Sequence, residues 1–329
     1  MTFQVIEPVL IIGLGGVGSK LAMDAKKSLN ADCLCISNDK NDLNTDNSIE
    51  ISTKSVINPS VQLIRGCAFE YNEKISNKIS EYKTVIIIAN LAGKSGQSLS
   101  PMISSICNEQ DKNVLSFAIM PFKFEKDRIF QSGISLKRLR EYSDGVIIID
   151  NDALLDSNPE LTPEKCYDIT NKAIQCLTRS LGTSSLPEDT NILSTSKNTV
   201  DIETSLKDSM RMLYEDAAPN NIKRSMLYIY GGSKIPLGVI NSISNIVEGV
   251  FEEDGTEVDM ASSENTNVVM LSTVKGETHF DKYDPLGIIS QEKTIDWNDP
   301  ECSIDCKLEI PQLESVSYTH LTLPTSDLV

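Results

Sequence analysis

Short, nearly unbroken apolar runs recur along the first half of the chain, at residues 9–12, 33–37, 84–89, 114–120 and 145–150. Runs of that length, rich in Ile and Val, predict strands buried on both faces. Segments of helical period separate them. A glycine turn over 13–19 follows the first run and leads into an amphipathic pattern to about residue 28. A second Gly/Ser stretch, 93–98, follows the run at 84–89, and a helix is predicted beyond it, over 101–109. A long helical pattern covers 162–181. Further on, the pattern predicts a helix over 202–215, a strand over 226–230, a helix over 237–251 and a strand over 268–274. This alternation predicts an α/β fold: a mostly parallel, Rossmann-like sheet with helices on both faces, a long central helix and a second, smaller α/β domain. The expected boundaries are 1–160, 161–185 and 186–275, followed by an acidic tail over 276–314. Residues 315–329 break from that acidic composition and read as a non-native extension.

Charge changes the picture toward the C-terminus. The 329 residues carry 47 Asp and Glu against 30 Lys and Arg, a net charge of −17. Residues 241–329 hold eighteen of the acids and only four lysines, which makes −14 of that total. Such a chain lacks the cations that sequence-independent nucleic-acid binding requires. No apolar run approaches the roughly 20 residues of a membrane helix, and the first residues lack a basic leader, so a cytoplasmic protein without membrane insertion is expected. The acids over 252–259 read as a solvated loop, and 276–314 as a tail able to meet a basic partner. Two histidines, His279 and His320, exclude a multi-histidine metal centre. Eight cysteines form no CxxC motif, and most sit in apolar runs as small hydrophobes. Cys302 and Cys306 are a minor candidate for metal or redox chemistry. No metal site is expected in the protein itself.

The first glycine turn carries candidate chemistry. Gly13, Gly15 and Gly18 fit GxGxxG between a strand and a helix, with Gly16 and Val17 inside the motif. Such a turn lets backbone approach phosphate at a helix N-terminus. Asp39, 21 residues past Gly18, stands where an acid can meet a ribose. The motif alone leaves NAD, ATP and GTP open, beside the reading in which its glycines serve only tight packing. The second loop adds Gly93, Lys94, Ser95, Gly96 and Gln97 at another predicted helix start. Two such starts in one parallel sheet can converge on one polyphosphate. Ile88 stands where a Walker A motif needs glycine, so that reading is excluded.

Three further segments carry a resemblance. Residues 121–128 (PFKFEKDR), 133–140 and 146–155, the last ending NDALL, resemble the FtsZ/tubulin superfamily, whose bacterial and archaeal members carry KPFxFEG, a helix and a strand ending in NDxLL at this spacing. The resemblance covers about residues 8–274. It implies a GTP- or GDP-binding domain, with Mg²⁺ carried on the nucleotide. The glycine loops then stand at its phosphates. Glu125, Arg128 and Asn151 count among its nucleotide-binding residues, and Tyr167 and Asn171 stand on the central helix where an aromatic and an Asn contact guanine. It also implies head-to-tail filaments with itself or a related subunit, in which one subunit's second domain completes the next subunit's hydrolysis site.

The departures from that family's pattern set further expectations. Ala92, Lys94 and Ser98 replace signature glycines. Lys20 replaces an Asn, and either lysine could face phosphate or solvent. Lys172 replaces an Asp that accepts from guanine, and a lysine cannot accept, which leaves base preference open. Arg128 lies one position from the family's arginine. The third phosphate loop is expected near residues 65–68, without its glycine pair. For the catalytic loop, Glu188, Asp189 and Asn191 are the best placement, with Asp201 and Glu203 as the other candidate or as a helix cap. Slow hydrolysis or none is expected. Two other readings stay open: a non-hydrolysing adaptor of a related filament, and a Rossmann enzyme of NAD-dependent or ThiF-like type.

Overall fold

The computed structural model describes residues 2–54, 56–181, 186–187, 189–197, 201–230, 257–261 and 267–283, with single positions at 238, 241 and 245. The first predicted strand is β2 (Val9–Leu14), after a two-residue β1 (Thr2–Phe3). Helix α1 (Gly15–Leu29) starts inside the glycine motif, and β3 (Asp32–Ser37) and β4 (Ser48–Glu50) follow it. Helices α2 (Val61–Ala68) and α3 (Asn72–Ile79) precede β5 (Thr84–Asn90). Then come α4 (Lys94–Glu109), β6 (Asn113–Met120), α5 (Lys126–Tyr142), β7 (Gly145–Asp150), α6 (Asn151–Ser157) and the long α7 (Pro163–Ser180). A short β8 (Leu186–Pro187) pairs with β1. The rest is β9 (Asp189–Thr195), α8 (Ile202–Asp216), β10 (Ile222–Tyr230), β11 (Glu257–Ala261) and β12 (Asn267–Val274).

One ten-stranded sheet runs β11-β10-β12-β9-β7-β6-β5-β2-β3-β4. From β4 to β9 every pairing is parallel. Strand β12 is antiparallel to both β9 and β10. Residues beyond the central helix therefore continue the first sheet through β9, which pairs with β7.

Alternation along the strands sorts the core into two layers. Leu10, Ile12 and Leu14 pack with Ile64, Ile75, Leu99, Ile103 and Leu136, beneath α2 to α5. Val9 and Ile11 face the other way, onto Leu21 and Ala25 of α1 and Ile174 and Leu177 of α7. In β9, Leu193 joins the α7 layer, whereas Ile192 packs with Leu206 and Leu213 of α8.

Three sequence expectations change. The stretch over 93–98 is mostly the first turns of α4, which runs through Pro101. A proline has no N–H for the carbonyl four residues back. Here Gln97 O accepts instead from Ser135 Oγ at 2.9 Å and Arg65 Nη2 at 3.3 Å. Residues 65–68 lie in α2, so no phosphate loop stands there. The acidic stretch 252–259, expected as a loop, ends in β11. Of the helix expected over 237–251 only positions 238, 241 and 245 are described, each as helix, and Cys302, Cys306 and the tail beyond 283 lie outside the described residues.

Candidate functional site: a cleft at the switch point of the sheet

The chain order places β2 between β3 and β5. Connections leaving β2 and β5 therefore diverge at their C-terminal ends, where open parallel sheets keep their ligand crevice. Leu14 sits opposite both Ile36 and Ala89, so the three strand ends are level. Helices α1 and α4 both start at this edge. A cleft of about 480 Å³ lies between them, lined by Gly15, Gly16 and Val17 from one and by Gly93, Lys94, Ser95 and Gly96 from the other.

The glycines of the first motif divide by role. Gly15 has φ +69°, a conformation that costs any other residue, and lies beside Ser95. Gly13 and Gly18 do not line the cleft. A Cβ on Gly13 would meet Gly18 O at 2.5 Å, and one on Gly18 would meet Ile88 O at 2.4 Å. These two hold α1 against the strands, so for them the packing reading is the right one. Neither α1 nor α4 has a side-chain N-cap, which leaves first-turn N–H groups for a ligand.

Among the remaining expected phosphate residues, Lys94 lines the cleft, with Nζ donating to Asn58 Oδ1 (2.5 Å) and Pro59 O (2.9 Å). Lys20 is exposed on α1 and outside the cleft lining. Gln97 is buried and structural: Nε2 donates to Leu91 O (2.7 Å), Arg128 O (3.1 Å) and Ser132 Oγ (3.0 Å).

The other expected nucleotide-binding residues, Glu125, Arg128, Asn151, Tyr167 and Asn171, lie outside this lining. Glu125 and Arg128 pair with each other at 2.7 Å, and Arg128 also donates to Ala92 O at 2.9 Å. Tyr167 packs edge-on to Phe122 at 5.2 Å, and Phe124 stacks on the same ring at 5.0 Å while 62% exposed. Burial pushes the Tyr167 hydroxyl up to about 12. Asn151 Oδ1 accepts from Thr170 Oγ1 at 2.7 Å. Its Nδ2 and the Oδ1 of Asn171 are buried without a partner. A buried donor and a buried acceptor left unpaired are costly.

The catalytic placement needs correction. Asn191 is fully buried in β9, paired with Ile147 on one side and Thr273 on the other. Its Oδ1 accepts from Thr273 Oγ1 at 2.8 Å. A side chain held inside the sheet cannot reach out to orient water on another molecule. Asp189 starts the same strand, and Glu188 lies outside the described residues. Asp201 caps α8, with Oδ2 accepting from Thr204 N at 3.1 Å and Oδ1 from Glu203 N at 3.3 Å.

Sequence reasoning missed one wall of the cleft, made by Asn38, Lys40 and Asp42 after β3 and by Thr53, Val56, Asn58 and Pro59 before α2. The Asn-Pro pair ahead of the Ser60 cap was its only local signal. Asp39, considered for a ribose, accepts from Asn41 N at 2.9 Å and caps a single 3-10 turn. Among the described residues no cluster of three metal-ligating side chains occurs, and no helix is long and apolar enough to cross a membrane.

A parallel sheet with two helix N-termini meeting over a glycine-lined polar cleft is the architecture of a nucleotide-binding α/β domain. The model of the Tubulin/FtsZ family, GTPase domain, matches residues 8–159. The cell division protein FtsZ 2 of Halobacterium salinarum is 26% identical over 179 residues, 50% of this chain and 44% of that protein. The chain thus spans half or less of the length of the curated relatives that it matches. A mutant FtsZ from M. jannaschii superposes with a TM-score of 0.68 at 16% identity, over 83% of this chain and 93% of that one. CetZ2 from Haloferax volcanii, as a GTPγS-bound protofilament, gives 0.63 at 16% identity, over 85% and 98%. Residues 8–159 thus carry the GTPase-domain pattern of the Tubulin/FtsZ family, and the described fold is similar to that of FtsZ and CetZ structures.

Proposed function

We propose that this chain binds GTP or GDP in the cleft between α1 and α4 and acts as a subunit of FtsZ/tubulin-like filaments, with weak hydrolysis or none. The observation that carries the reading is the convergence of two uncapped helix N-termini on one glycine-lined cleft. Free N–H groups and helix dipoles there favour a polyphosphate. Phosphates lie along Gly15, Gly16, Val17 and 93–96, and Mg²⁺ travels with them. The base lies toward Tyr167, where Asn151 and Asn171 hold an unpaired donor and acceptor. Lys172 is exposed on α7 and offers only donors, so the base preference is read by titration. The purified chain is titrated with GTP, GDP, ATP and NAD, then sedimented with and without the nucleotide that binds. Binding of a guanine nucleotide with nucleotide-dependent pelleting is expected. A monomer indifferent to every nucleotide sinks the reading.

A second reading has its own support. Asn191 is locked in the sheet, and Asp201 is spent on capping α8. That arrangement favours a non-hydrolysing subunit that joins filaments of a hydrolysing relative. Nucleotide-independent co-sedimentation with such a relative supports it, and brisk phosphate release excludes it. The acidic stretch 276–314 is proposed to meet a basic partner, in line with the concentration of negative charge there.

A further inference from the structure

We infer that Asp42 makes nucleotide capture in this cleft depend on a divalent cation, because it sets a carboxylate against the turn that takes the phosphates. The inference rests on the nucleotide reading above and names the form in which the ligand is taken: a cation complex of a nucleoside di- or triphosphate. Gly16 is the second residue of α1, and a Cβ there would lie 2.5 Å from Asp42 Oδ1 and 3.2 Å from its Cγ. The carboxylate thus lies directly beside the N-terminal turn. Asp42 Oδ2 accepts from Ser37 Oγ at 2.7 Å. Ser37 Oγ is 3.3 Å from Ser95 Oγ, which donates to Asn38 Oδ1 at 2.6 Å. This chain of polar groups ties Asp42 to the first turn of α4 and fixes it between the two glycine loops. Among the described residues, Ser37 is the only donor to this carboxylate, and no lysine or arginine pairs with it.

The electrostatic consequence follows from position. A helix N-terminus attracts an anion, and here one negative charge is built in beside it. A polyphosphate brings further negative charge to the same turn. Of the two lysines in the lining, Lys94 is already held by Asn58 and Pro59, and Lys40 is exposed on the turn that carries Asp42. A divalent cation between carboxylate and phosphate turns repulsion into attraction. Mg²⁺ in phosphate sites is typically held by one or two carboxylates plus substrate oxygens, with water completing the shell. Asp39 lines the same wall with its Oδ1 capping its own turn, whereas the Oδ1 of Asp42 lies against Gly16 in the α1 turn, which makes Asp42 the determinant. The ion then has a protein ligand, where the sequence alone suggested that phosphates hold it.

The test uses the full chain and Asp42→Asn, which keeps the shape and an acceptor for Ser37 but loses the charge. GDP and GTP are titrated calorimetrically in excess Mg²⁺ and in EDTA. Wild type is expected to bind at least about tenfold more weakly in EDTA, and the variant to bind within about threefold under both conditions. As a second readout, Mn²⁺ bound with GDP is followed by electron paramagnetic resonance, and wild type is expected to hold it about tenfold more tightly. A wild type indifferent to EDTA, or a variant with undiminished cation dependence, overturns the role of Asp42 and leaves nucleotide binding standing. Failure of the folded wild type to bind any nucleotide in Mg²⁺ overturns the nucleotide reading and the inference together.

Discussion

Gly15 and Gly18 belong to one motif yet have different physical duties, and substitution separates them. Alanine at 15 must adopt φ +69° and lies 3.2 Å from the Ser95 Cβ. The expected cost is about 1–2 kcal/mol of stability, with a larger loss of nucleotide affinity because the turn itself deforms. Alanine at 18 must push against Ile88 O at 2.4 Å, a backbone atom of the central sheet. That separates α1 from β2 and β5 and is expected to cost stability foremost, by about 3 kcal/mol or more. Urea melts and calorimetric titration of both variants check this, and equal affinity losses at equal stability would count against the division. The GxGxxG spacing made the turn legible. It did not tell which glycine packs and which lines the cleft, since that depends on the distance to Ile88 and Ser95, residues about 70 to 80 positions away. Asp42 escaped for the same reason: nothing local distinguishes it from a solvated loop acid.

Strands and helices were legible where apolar period was strong, and lost where it was weak. The runs at 84–89 and 145–150 became β5 and β7 with shifts of a residue at most. Strand β9 went unseen because its sequence, DTNILST, has only two large apolar residues, and its partner β12 is 70 or more positions away. That omission put Asn191 in a loop. Asn191→Ala is therefore expected to destabilise the fold by about 1–3 kcal/mol, through the orphaned Thr273 hydroxyl. A variant as stable as wild type would argue for a functional role instead. The joint between α6 and α8 carries a second element-scale consequence. Asp150 ends β7 and Asp216 ends α8, and both carboxyls are buried. Burial pushes both above the ordinary range, Asp150 to about 6; the neighbouring Asp150 raises Asp216 further, whereas at Asp150 the hydrogen bond with Asp216 and the charge of Lys123 oppose the rise in part. Tyr283 and His279 flank the same cluster from the 3-10 turn at 279–283. The folded state prefers the protonated pair, so this contribution is full below about pH 4 and is lost as pH rises through about 6 and beyond. Asp216→Asn removes one of the charges. Its melting temperature relative to wild type is expected to rise between about pH 5 and 8, by a few degrees, and a flat difference would show that the pair shares no such strain.

At the scale of the whole molecule, the sheet and the charge pull in different directions. The ten strands join the nucleotide-type half to the residues beyond α7 without a break, so a ligand event at α1 and α4 is mechanically connected to α8 through β5, β6, β7 and β9. That continuity suits the filament subunit proposed above, whose two ends would answer one another. The net charge of −17 opposes stacking of identical copies, since every added subunit brings like charge to the last. Exposed charges are screened over a Debye length of about 10 Å at 0.1 M salt and about 3 Å at 1 M. Assembly with bound nucleotide is therefore expected to strengthen as KCl is raised from about 0.05 to 0.3 M, and Mg²⁺ at equal ionic strength is expected to act further through Asp42. Sedimentation across that series, with Asp42→Asn alongside, separates the two effects: the KCl response persists in the variant, and the additional Mg²⁺ response does not. Pelleting that falls steadily with KCl would instead mean that complementary charges hold the subunits together.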